Sequence, residues 1–278
     1  MTPRVLAATC LCLFASLAHA QEATAQPEAV VREILALSGE RELIAFFVAG
    51  SEAEIDKARK EVNPKDFKLL RTLMREVFQP ETLYQATFAG HRDAYDAKRS
   101  TALLEWLRTP LAQRVMAQEI RVASLSQVKP MQQYLQQLQS KPLPAVRQAL
   151  LEDLQQESRM MEYYRRTMAI ILRNGLVAIN ATAPAHRRVS PEQLEQLLTQ
   201  AQDKIAPTLR QSVRDTMRFT YRDLSDDEVR AYTRFLESDL GRWFVRVRTD
   251  ARLNAMERAG ATLRTELARA IEQKKRRK

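Results

Sequence analysis

Along most of this chain apolar residues recur at steps of three and four, and no stretch alternates long enough to make a strand. Val30, Val31, Ile34, Leu35, Leu37, Leu43, Ile44, Phe46 and Phe47 open the series, with an interruption near Gly39 and a stop at Gly50. A helix must put such a face against other helices, because nothing else in the sequence offers a partner layer. Six glycines in 278 residues exclude a glycine-punctuated barrel or propeller. No G-x-G-x-x-G or G-x-x-x-x-G-K spacing occurs, which argues against a dinucleotide or phosphate-loop fold. Start signals fall where the periodic runs begin. Ser51 stands as an N-cap ahead of Glu52 and Glu54, and Asn63-Pro64 and Gln79-Pro80 place proline at a first helical position. Ser190-Pro191-Glu192-Gln193 and Ser225-Asp226-Asp227-Glu228 spell capping boxes. Pro130, Pro142, Pro144, Pro184 and Pro207 fall between runs or near their ends. The expectation is an all-α bundle of roughly eight to ten helices with short connections.

The N-terminus reads as an export signal. Arg4 supplies the positive start, Val5 to Leu17 the apolar run, and Ala18-His19-Ala20 an A-x-A cleavage pattern. The apolar run is shorter than the roughly 20 residues a bilayer-spanning helix needs, so cleavage before Gln21 is the expected outcome. Cys10 and Cys12, the only cysteines, leave with residues 1–20, and the mature chain then has no disulfide, thiolate ligand or cysteine nucleophile. A periplasmic setting fits. Residues 21–27 form a polar lead-in, residues 28–140 a first helical repeat, residues 141–273 a second, and residues 274–278 a basic tail.

The repeat rests on matches between residues 104–116 and 233–245. Trp106 pairs with Phe235, Leu107 with Leu236, Thr109 with Ser238, Leu111 with Leu240 and Ala112 with Gly241. Each column keeps one role. An aromatic and a leucine end a helix, a hydroxyl caps the next, and a small residue then allows close approach. Pro110 follows the cap in the first copy, where Asp239 follows it in the second.

Leu224-Ser225-Asp226-Asp227-Glu228-Val229, followed by Phe235-Leu236-Glu237-Ser238-Asp239-Leu240-Gly241-Arg242, resembles the signature of the periplasmic "domain of unknown function 2059" family. That signature is an acidic capped helix start and an F-Y-x-S-P-x-G turn. The family's opening L-x-L-(T/S)-G pattern is similar to Leu35-Ala36-Leu37-Ser38-Gly39. Residues 28–125 and 146–272 resemble two copies. Asp239 and Leu236 depart from the proline and tyrosine of the pattern, and Thr109 and Ala112 from its serine and glycine. Asp96 and Arg99 stand where the second copy has Ser225 and Glu228. The resemblance implies an exported helical protein and supplies no catalytic residue.

Chemistry is sparse in the sequence. His91 shares a helical face with Tyr84, Phe88 and Tyr95 and reads as a half-buried packing residue, and His186 sits in a linker. No spacing of histidines and acids suits a metal, and no cofactor is expected. The 34 acidic residues look scattered on outward faces, and Met160, Met161, Tyr164, Met168, Ile171 and Leu172 form a stripe that reads as core rather than as a ligand groove. Met131, Tyr134, Leu135 and Leu138 suggest a helix packed on one side. Lys274, Lys275, Arg276, Arg277 and Lys278 are a candidate contact for an anionic membrane or other polyanion, or a solvated terminus, and export argues against nucleic acid. Two functions compete. The first is a non-enzymatic protein acting through a protein or envelope partner. The second is an envelope enzyme working through carboxylates that one dimension does not reveal; it requires a concave pocket with inward acids or a perturbed His91.

Overall fold

A computed structural model describes residues 27–57, 59, 64–183 and 185–276, so residues 1–20 and most of the polar lead-in lie outside the described residues. The described chain is helical throughout and contains no strand: it forms an all-α bundle. Twelve α-helices follow one another: α1 (27–37), α2 (Glu40–Lys57), α3 (Pro64–Val77), α4 (Pro80–Asp93), α5 (Ala97–Leu107), α6 (Pro110–Val122), α7 (Val128–Ser140), α8 (Ala145–Glu157), α9 (Met160–Thr182), α10 (Pro191–Thr220), α11 (Asp226–Glu237) and α12 (Asp239–Arg276). Twelve exceeds the expected eight to ten because several breaks span only one or two residues. Ser38-Gly39, Arg108-Thr109, Ser158-Arg159 and Ser238 turn the chain without disturbing the apolar spacing on either side.

Two start and stop signals were misleading. Ser51 is not a cap: α2 runs through Gly50 and Ser51, and the Ser51 hydroxyl donates to the Phe47 carbonyl at 2.9 Å. Pro207 lies inside α10 rather than at an end. Pro207 and Asp203 are both exposed, so the carbonyl that loses its donor there faces water. The capping boxes at Ser190 and Ser225 form with both reciprocal bonds.

Helix α12, 38 residues long, is the spine. Its first turns join one core with α5, α6, α8, α11 and the end of α10, where Leu107, Val115, Leu154, Met217, Leu236 and Phe244 are buried. Its later turns join a second core with α1 to α4, where Leu35, Ile44, Leu83, Phe88, Ala259 and Leu263 are buried. Between the two, Arg248 and Arg252 point from α12 into the interior.

Corresponding turns recur on the two sides of α7. Residue 38 donates its backbone N–H to Ile34 and residue 158 to Leu154, both at 3.0 Å. Gly39 and Arg159 then take positive φ, 65° and 51°. Thr109 caps α6 by accepting from Ala112 N at 3.3 Å, and Ser238 caps α12 by accepting from Gly241 N at 3.0 Å. Asp96 caps α5 through Arg99 N at 2.8 Å, and Ser225 caps α11 through Glu228 N at 3.2 Å. Trp106 and Phe235 stack with ring centroids 3.5 Å apart and planes 5° from parallel.

Gly241 is tight against the turn before it, not against a distant helix: a Cβ there would run into the Phe235 carbonyl and lie 2.6 Å from Leu236 Cα. Gly241→Ala should therefore destabilise by about 1–3 kcal/mol through overpacking against backbone. Ser238→Ala should cost about 1 kcal/mol through loss of the cap. Urea unfolding followed by circular dichroism checks both; wild-type midpoints would deny the turn a packing role.

Candidate functional site

Four helices converge at the junction of the cores to form a buried polar cluster. Glu40, the first residue of α2, is fully buried. The fork of Arg252 grips it through Nε and Nη2, and Arg248 Nε lies 3.5 Å from its second oxygen. Arg248 reaches across to Glu119 of α6 with both Nη atoms at 3.3 Å, and its Nη2 also donates to the Ser38 carbonyl at 3.3 Å. The other Glu119 oxygen accepts from the hydroxyls of Tyr221 at 3.0 Å and Tyr232 at 3.2 Å. Acids read as outward-facing thus include two that are interior, Glu40 and Glu119, each neutralised by an arginine of α12. Buried ions persist when paired and hydrogen-bonded on their remaining lone pairs, and here they are.

Burial alone would raise the Glu40 carboxyl; the charge of Arg252, its hydrogen bonds and then Arg248 overcome this and bring it down to about 2. His91, on the buried face of α4 beside Glu40, is lowered to about 4, chiefly by burial. It is therefore neutral near pH 7, and its Nε2 has no hydrogen-bond partner. Burial and the Glu119 charge push the Tyr221 and Tyr232 hydroxyls well above the ordinary tyrosine range.

Against this cluster lies a cavity of about 340 Å³, bounded by α2, α4, α6, α7, α9, the end of α10, α11 and the first half of α12. Ligand pockets start near this size, roughly 300 Å³, and this one has the usual make-up of apolar walls with a few polar groups. Leu43, Phe47, Val128, Met160, Phe244 and Met256 are among its walls, and Glu119, Arg248, Arg252, Tyr164 and Thr167 supply polarity. Tyr163, Tyr164 and Thr167 share a face of α9. Helix α7 forms one side, yet none of its residues is buried, and its first residue Val128 and the nearby Leu125 stay about half exposed, at 47% and 49%. It covers the cavity without being packed into a core.

The sequence-selected residues fall elsewhere. Trp106, Leu107, Thr109, Pro110 and Ala112 make the α5–α6 turn. Ser225 and Glu228 open α11, and Phe235, Leu236, Ser238, Leu240 and Gly241 make the α11–α12 turn. Both turns belong to the first core. Lys274, Lys275 and Arg276 lie at the end of α12; Arg277 and Lys278 are outside the described residues. His186 is exposed in a short 3₁₀ turn, as read. Of the stripe read as core, Met160 packs against the first core and also borders the cavity, Tyr164 borders the cavity, and Ile171 farther along is 41% exposed. Among the described residues no group of three metal-ligating side chains converges, and no helix is long and apolar enough to cross a membrane. Compared with known proteins, the chain matches no family model, no curated protein and no solved structure.

The cluster sets a pH dependence. An unfolded histidine takes its proton below about 6.5 and folded His91 not until about 4. Acid therefore favours the unfolded chain across that window, and stability falls by about 3 kcal/mol in total. Glu40 extends the loss: its unfolded carboxyl protonates near 4.5 and its folded one near 2, so its contribution, full above 4.5, fades towards pH 2. Urea titrations at steps from pH 7 to pH 4 should show this decline in the wild type and a flatter profile in His91→Leu. Parallel declines would remove His91 as the cause.

Proposed function

We propose that the protein is an exported, non-enzymatic binding protein that holds one small apolar or amphipathic molecule in the cavity between its two cores. The observation behind this reading is that the cavity has open apolar walls while the carboxylate on its wall, Glu119, and the one behind it, Glu40, are locked. Glu40 is held ionised by Arg252, and both oxygens of Glu119 are occupied by two donors each. A general acid or base needs a proton it can exchange near neutral pH and an atom free to reach the substrate. Neither carboxylate offers both, and His91 is not among the residues bordering the cavity. The wall suits holding a molecule better than transforming it.

The export signal at residues 1–20 and the resemblance to the periplasmic domain of unknown function 2059 family support an envelope setting. The like-for-like turns on either side of α7 support a duplicated ancestor whose halves meet at Trp106–Phe235 and Glu119–Arg248. In this reading an envelope partner delivers or receives the bound molecule, and the basic tail offers a weak contact with an anionic surface.

N-phenyl-1-naphthylamine, an uncharged apolar fluorophore, tests the cavity. The full chain should bind about one dye per molecule with a rise in emission. Met131→Trp and Met160→Trp, which fill the cavity from α7 and from α9, should weaken binding by roughly tenfold or more, equivalent to about 1.4 kcal/mol, with melting temperatures near wild type. Wild-type affinity in both filled variants, or no binding by the wild type, would sink the reading.

A further inference from the structure

We propose that the occupant of the cavity is a single-chain amphiphile with a carboxylate head, seated where Arg252, Tyr164 and Thr167 meet. The inference rests on the cavity reading above and adds the chemistry of the head group.

The polar groups of the cavity are unevenly used. Its charged acceptor is spent: Glu119 takes two hydrogen bonds on each oxygen, and Glu40, behind the wall, is held by the Arg252 fork. Its donors are not. Arg252 uses Nε and Nη2 on Glu40, and its Nη1 has no acceptor among the described residues. Thr167 is 6% exposed, borders the cavity, and its hydroxyl has no partner. A helical threonine normally satisfies its hydroxyl on the carbonyl one turn back, so this orphan is unusual. The Tyr164 hydroxyl, which burial pushes up to about 12, stays a donor at any physiological pH and has no hydrogen-bond partner among the described residues. Arg252 lies over the Tyr163 ring at 5.8 Å, which brings the guanidinium to the α9 face that holds Tyr164 and Thr167.

A site with a free guanidinium edge and no free carboxylate selects a head group that accepts. A cationic head would find no open carboxylate, only neutral oxygens, and would face two guanidinium groups. An alcohol can accept from these donors without the added strength of ionic hydrogen bonds, which are roughly twice as strong as neutral ones. A carboxylate meets a planar guanidinium edge and two hydroxyls with matching geometry. The network of Arg248, Arg252, Glu40 and Glu119 is neutral as it stands, so the selection arises from where donors are free and not from surplus charge. The apolar walls then take the chain, and the weakly anchored α7 is the side through which it enters.

The test uses three amphiphiles of equal chain length, dodecanoate, dodecanol and dodecyltrimethylammonium, each displacing N-phenyl-1-naphthylamine from the full chain below its micelle concentration. Dodecanoate should displace the dye with an inhibition constant about tenfold or more below that of the cation, with the alcohol between. Thr167→Val, close in shape and lacking the donor, should weaken dodecanoate severalfold and leave the cation unchanged. Arg252→Lys keeps a cation for Glu40 and removes the free guanidinium edge, and should do the same; if it fails to fold, Thr167→Val decides alone. Equal displacement by all three heads, or preference for the cation or the alcohol, overturns the carboxylate assignment while leaving the cavity reading intact. An unchanged preference in a folded Thr167→Val overturns the seat. If the dye itself does not bind, the cavity reading fails first.

Discussion

The pairing of Glu40 with Arg252 is the contact on which the rest of the molecule is arranged. A carboxylate with no exposure to water is tolerable only beside a permanent cation, and arginine is the one side chain that remains charged in such a setting. The pair fixes the start of α2 against the middle of α12. Gly39, immediately before Glu40, turns with positive φ where Ile120 leaves no room for a Cβ, so the backbone can deliver Glu40 to that point. Arg248, one turn earlier on α12, extends the network to Glu119 and the tyrosines of α10 and α11. One ion pair thus ties elements from both cores into a common interior.

The helical character was legible from residue spacing, and so were the capping boxes at Ser190 and Ser225, because caps are local chemistry. The turn at Ser238 was legible for the same reason. The position of Pro207 was not, since whether a proline ends a helix depends on whether water can serve the freed carbonyl. The candidate site was hidden for a different reason. Arginine and glutamate look like surface residues in any linear reading, and their burial depends on partners more than 200 residues apart, as for Glu40 and Arg252. One signal was available: Arg248 and Arg252, four apart, sit on the face of α12 that the neighbouring Phe244, Val245, Ala255 and Met256 make apolar. His91 was read as partly buried and is more deeply enclosed, because the acid it stands beside is itself interior.

Similar turns stand on either side of α7, yet the junction between them brings unlike residues together, and that difference makes the site. Glu119 and Arg248 carry opposite charges that face each other. Like charges at these two places would have met at a cost that no nearby water could relieve. Met160, which follows Arg159 as Glu40 follows Gly39, is apolar and borders the cavity. The same place in the two halves therefore serves charge in one and an apolar wall in the other.

The length and position of α12 bear on how the chain reaches this state. Its halves belong to different cores, and in chain order it follows every helix it packs against. Helices α1 to α4 lack their long partner until residues past 250 emerge, and α5, α6 and α8 lack theirs until just before. Local helix formation is fast, but contacts across such sequence separations are slow to close. Before residues 248–252 are made, the arginine–glutamate network cannot form, and the interior carboxylates Glu40 and Glu119 stand without the cations that let them be buried. The completion of both cores is thereby tied to one late segment of the chain.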